Sequence, residues 1–105
     1  MPDRAPYYLD YCVGDTRPFI YLEFENEDIT GYTFELTVNY QQGTCLVKSG
    51  TIKEPNLNRA VGAGIACIEW VSGDLNQKGI HPCSIQITDA LGGVESYKNF
   101  ALRIT

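Results

Sequence analysis

Between Tyr32 and Tyr40 the chain alternates without a fault. Tyr32, Phe34, Leu36, Val38 and Tyr40 fall at one parity, and Thr33, Glu35, Thr37 and Asn39 at the other. Side chains on a strand point to opposite faces in turn, so this stretch predicts a β-strand with one dry and one wet face. Burying its apolar side would give on the order of 10 kcal/mol before chain entropy is counted. A slip of one residue would put that whole side into water, so the register is strongly specified.

The same period recurs along the chain at shorter length. Tyr7–Val13 places Leu9, Tyr11 and Val13 on one face, and Phe19–Glu25 turns Ile20, Leu22 and Phe24 inward. Cys45–Ser49 reads as a strand that continues weakly through Thr51–Lys53. Ala60–Val71 carries Gly64, Ala66, Ile68 and Trp70 inward, with Ile65, Cys67 and Glu69 outward. Ile80–Thr88 buries Cys83, Ile85 and Ile87, and Val94–Ile104 buries Phe100, Leu102 and Ile104. The expected core is Leu22, Phe24, Phe34, Leu36, Val38, Ile68, Trp70, Ile85, Ile87, Phe100 and Leu102.

Gly- and Pro-containing turns separate these segments: Gly14–Pro18, Gln41–Gly43, Glu54–Arg59, Ser72–Gly79 and Asp89–Gly93. One helical turn is expected at Asp74–Lys78, and no amphipathic helix anywhere. Six to eight short strands with turn signals about every 8–12 residues read as an all-β antiparallel β-sandwich. With 105 residues the chain makes one domain. The expected division is an N-terminal arm over residues 1–8, carrying two prolines, and a single sandwich over 9–105.

Charge narrows the partners. Thirteen acidic and eight basic residues give a net charge of −5, and the basic ones form no run. Duplex nucleic acid and anionic membrane are therefore poor partners, because no cationic excess can displace counterions. Residues 1–6 contain no apolar signal core, so export by that route is not expected. Cys12, Cys45, Cys67 and Cys83 are then read as reduced thiols used mostly as small apolar side chains.

Chemistry-bearing constellations are sparse. His81 and Cys83 are two apart on a strand, about 6–7 Å, beyond the hydrogen-bond reach that a thiol–imidazole pair requires. The reading preferred is a strand-edge histidine beside a core cysteine. The cysteines and His81 lack zinc-ligand spacing. Glu23, Glu25, Glu27 and Asp28 lack a calcium-loop pattern and are better explained as a solvated strand face that guards an edge. Val61–Ile65 lacks the lysine of a phosphate-binding loop. No catalytic residue, metal or cofactor is expected, and the chain is not read as an enzyme. The remaining candidates are contact residues. Tyr7, Tyr8, Tyr11 and Tyr21 form an aromatic-rich group, since tyrosine offers large contact area at low entropic cost. Asn56 and Arg59, in the Glu54–Arg59 loop, are the second candidates.

The order of elements adds a resemblance. Gly14-Asp15-Thr16 precedes the first long strand, followed by Asp28-Ile29-Thr30-Gly31-Tyr32-Thr33-Phe34. After a Gly-containing loop come Ile68-Glu69-Trp70 and Gly73-Asp74-Leu75. Gly79-Ile80 then leads to Ile85-Gln86-Ile87-Thr88-Asp89 and a Gly-Gly hairpin. From about residue 10 to the end, this resembles the immunoglobulin-like N-terminal domain of the phage baseplate upper protein family. The sequence departs from that pattern at Ile80-His81-Pro82-Cys83, and Pro82 predicts an edge or a bulge there.

The resemblance implies an immunoglobulin-like β-sandwich that serves as a non-enzymatic structural protein of a tailed-bacteriophage virion, assembled in the bacterial host cytoplasm. Its partners would be other virion proteins of the tail, baseplate or capsid, met as symmetric copies. A capsid cement (decoration) protein is the nearest alternative. A glycan- or receptor-binding module is a further one, although the loops carry no aromatic residue for stacking on a sugar.

Overall fold

The computed structural model describes residues 7–43, 45–57 and 62–105. Among these the strands are β1 (Tyr7–Tyr11), β2 (Ile20–Glu25), β3 (Thr33–Val38), β4 (Leu46–Ser49), β5 (Thr51–Glu54), β6 (Ala63–Ile68), β7 (Gly79–Thr88) and β8 (Val94–Ile104). They form a five-stranded sheet ordered β1-β8-β7-β3-β4 and a three-stranded sheet ordered β2-β6-β5. That is the strand order of an immunoglobulin-like sandwich, with β2-β6-β5 as one layer and β8-β7-β3-β4 as the other.

The strand with the cleanest alternation lies inside the larger sheet. β3 pairs antiparallel with β7, Leu36 opposite Ile85, and with β4 on its other side. Phe34, Leu36 and Val38 are buried, and Tyr32 and Tyr40 close the two ends of that face half-buried. The inner face of β6 supplies Ala66 and Ile68, and β8 supplies Leu102 and Ile104. Each fully buried Leu or Ile contributes roughly 1.5–3 kcal/mol relative to exposure. Trp70 stands edge-on to Tyr11, with ring centroids 5.7 Å apart. Its indole N–H lies 3.1 Å from both the Tyr11 hydroxyl and the Pro18 carbonyl, and that hydroxyl donates to the same carbonyl at 2.8 Å.

Several expectations need correction. The sandwich is not wholly antiparallel: β1 runs parallel to β8, from Tyr7 opposite Phe100 to Tyr11 opposite Ile104. Tyr7 and Tyr8 thus belong to a strand and not to an arm; residues 1–6 lie outside the described residues. β4 and β5 are not one weak strand. They belong to different sheets, and Gly50 is the crossing point. A Cβ there would stand 2.9 Å from Phe34 Cβ, so only glycine lets the chain pass so close to β3. The 74–78 segment is not helical; it is an irregular turn that buries Leu75 completely.

Ile29 and Leu75 are fully buried outside any apolar alternation, and the polar His81 is fully buried at the inward parity of Cys83, Ile85 and Ile87. Ile29 packs onto Gly64, whose missing side chain leaves the space that its branches fill. His81 is not at a strand edge, because β7 runs between β8 and β3. Its ring is edge-on to Tyr40 at 4.8 Å, and Nε2 lies 2.9 Å from the Gln77 carbonyl. The expected bulge does occur on this strand pair, between Cys83 and Ile85, and Pro82 sits one residue before the β3 ladder begins.

Candidate protein-docking surface

Three strands converge on the open flank of the sandwich because of two features of the chain path. The first is the placement of β1. In the constant-type immunoglobulin arrangement the first strand extends the β2-equivalent layer. Here it joins β8, so among the described residues β2 has a paired neighbour on one side alone, β6. The second is the bulge. From Cys83 to Ile85, β7 advances two residues while β8 advances three, from Phe100 back to Tyr97. The extra residue inverts the facing of everything N-terminal to it on β8. Tyr97 then lies opposite Ile85 and Glu95 opposite Ile87, on the inner face. An unbulged strand would have turned Lys98 and Ser96 there.

The result is a groove of about 560 Å³ between β2 and the β1–β8 side of the larger sheet. Its floor is Ile85 and Ile87, and its walls are Leu22 and Phe24 from β2 and Tyr97 and Phe100 from β8. Phe24 packs against Phe34 at 5.8 Å and Tyr32 at 6.1 Å, which holds its ring at the wall. A smaller extension of about 140 Å³ shares Phe24, Ile87 and Tyr97 and continues to Glu27, Asp89 and Glu95.

The rim is aromatic and acidic. Tyr7 is 67%, Tyr21 62% and Tyr97 53% exposed, which is unusual for side chains this large. The Tyr97 hydroxyl donates to Glu95 at 2.7 Å, and that carboxylate holds the phenol above its ordinary pKa. The Glu27 carboxylate accepts from the Tyr32 hydroxyl at 3.0 Å, and Asp89 accepts from the amides of Leu91 and Gly93. Glu23 joins them from β2, and among the described residues no Lys or Arg lines the groove or its extension.

The contact residues read from the sequence divide. Tyr7 and Tyr21 stand at the rim. Tyr8 is half-buried on the other face of β1, with the Arg103 guanidinium 4.8 Å from its ring centre and Arg103 paired to Asp10 at 2.5 Å. Tyr11 is not a contact residue: at 5% exposure it belongs to the core, where burial pushes its phenol pKa up. Asn56 is also withdrawn. It is buried with φ of 59°, and its side-chain amide donates to the Glu27 carbonyl at 3.2 Å, so it shapes a turn. Arg59 lies outside the described residues. Leu22, Phe24 and Phe100, assigned to the core, are only half-buried and form the groove walls. The group Glu23, Glu25, Glu27 and Asp28 does not converge, and among the described residues no three His, Cys, Asp or Glu side chains could share a metal ion.

Tyr97 was not singled out from the sequence. The signal was present in the three-residue step from Tyr97 to Phe100, which breaks the two-residue steps of Phe100, Leu102 and Ile104. Such a break marks a bulge. Comparison with family models, with curated proteins and with solved structures found no match to this chain.

Proposed function

We propose that this chain is a protein–protein docking module, and that it serves as a non-enzymatic structural protein in the virion of a tailed bacteriophage. The observation that supports docking is the groove: an apolar floor left open to solvent and rimmed by exposed tyrosines. Tyrosine is enriched in interface cores, and open apolar surface of this kind marks interaction sites. The virion assignment rests on the resemblance of residues 10–105 to the baseplate upper protein domain. In this reading the sandwich is a rigid body, present in symmetric copies in the tail or baseplate, assembled in the bacterial cytoplasm, with no cofactor and no nucleic-acid or membrane partner.

The test is quantitative mass spectrometry of purified phage particles from the culture that produces the chain, with the major capsid protein as the internal count. A few to a few dozen copies per particle is the expected result. Hundreds would move the protein to the head shell as a cement protein, and none would overturn the virion assignment.

A further inference from the structure

We infer that the groove receives an extended strand of a partner protein, with alternating apolar and basic side chains, added to the free edge of β2. The inference rests on the docking reading above and names what is docked.

Three observations carry it. β2 offers six residues of ladder, Ile20–Glu25, whose outer backbone groups face no strand among the described residues. Six residues at about 3.3 Å each span roughly 20 Å, the length of an ordinary strand. Leu22 and Phe24 point inward from that edge yet remain half-buried, so the apolar surface left uncovered is the surface that an added strand would cover. Backbone pairing would supply affinity, and alternate side chains would enter the groove.

Charge selects the sequence of the guest. Glu23 and Glu25 alternate with Leu22 and Phe24 on the outer side of the β2 edge, Glu27, Asp89 and Glu95 lie at the far end of the groove, and among the described residues no cation lines it. A strand carrying Lys or Arg between its apolar residues meets complementary charge, and an acidic strand meets repulsion. The same carboxylates argue against a second copy as the occupant. A β2–β2 pairing would bring Glu23 and Glu25 of one copy beside those of the other, and like charges across a ladder are destabilising.

The test is a titration of the full ¹⁵N-labelled chain with a synthetic Lys-Val-Lys-Val-Lys-Val-Lys peptide, and with its Glu-Val counterpart, at low salt. The basic peptide is expected to shift the amides of Ile20–Glu25, Tyr97 and Phe100, and the acidic peptide to leave them in place. The exposed pair Glu23→Lys and Glu25→Lys should weaken the basic peptide about tenfold. Retained amide dispersion in that variant shows that it folds. Equal binding of both peptides, shifts confined to another surface, no shift by millimolar peptide, or a dimer in sedimentation that buries β2 would each overturn the inference. Failure here with the chain still counted in particles leaves the virion function standing. Strand binding by a chain absent from particles does the reverse.

Discussion

Replacing Gly64 by alanine tests whether the loop between β2 and β3 is truly plugged into the core. The Cβ would stand 2.8 Å from Ile29 Cγ1, 3.0 Å from Ile29 Cγ2 and 3.1 Å from the Glu27 carbonyl oxygen. Real Cβ atoms do not approach carbon so closely, and Ile29 is fully buried, so it cannot swing into solvent. Overpacking of this kind costs about 1–3 kcal/mol, and for a chain of this length about 2 kcal/mol lowers Tm by roughly 10 °C. Ile29→Ala alone should cost about 2–5 kcal/mol through the cavity it leaves. In that background both offending Ile29 carbons are gone, and the Glu27 carbonyl oxygen at 3.1 Å is the one close neighbour of the three that remains. The added methyl then fills part of the cavity and also restricts the unfolded chain, an effect worth about 0.4–1 kcal/mol. Gly64→Ala in Ile29→Ala should therefore fall within about 0.5 kcal/mol of neutral, a coupling near 2 kcal/mol. Urea unfolding followed by the fluorescence of Trp70, the single tryptophan, reads all four corners of the cycle. Additive losses, or a Gly64→Ala single variant within 0.5 kcal/mol of the parent, would refute the packing argument.

Other outcomes follow from single contacts. Tyr11→Phe removes the hydroxyl shared by Trp70 and Pro18 while leaving the indole bonded to the Pro18 carbonyl, and a loss of about 1 kcal/mol is expected by the same urea assay. Asp74→Ala strips Lys48 and the Val71 amide of an acceptor 2.8 Å from each, with an expected loss of about 1–3 kcal/mol, and Lys48→Met should lose less. The Arg103 hydrogen bond lowers the Asp10 pKa below 3.8, so its contribution is present above that value and disappears as pH falls through the lower folded pKa. The stability difference between the parent and Asp10→Asn should accordingly vanish on the acid side; a difference that persists at pH ~2 would contradict this. With a thiol reagent at pH ~8 in native buffer, exposed Cys12 and Cys45 should react quickly. Cys83, pushed up to about 11 by burial, and buried Cys67 should wait for unfolding.

Much of this surface was legible in the sequence, because alternation is a local property. Leu22, Phe24 and Phe100 were placed inward correctly, yet nothing in their own segments said that the inside would stay open beside them. That depended on which sheet β1 joined. Tyr11 and Tyr7 share a parity on one five-residue strand and end in opposite environments, since Tyr11 reaches Trp70 and Pro18 while Tyr7 lies at the groove mouth. Asn56 read as a loop residue and is buried because its positive φ aims its amide at the Glu27 carbonyl.

The amino-acid sequence alone determined where the strands lie and which side of each is apolar, since a period of two is set by neighbours along the chain. Tertiary structure alone decided the partners: the parallel β1–β8 pair joins residues 93 apart, and Gly50 sends two abutting strands into different sheets. It also decided the facing of Tyr97 and Glu95, which one extra residue on β8 inverts relative to Phe100. Such pairings are set by apolar burial and backbone hydrogen bonding summed over the whole molecule, a sum that no single segment carries.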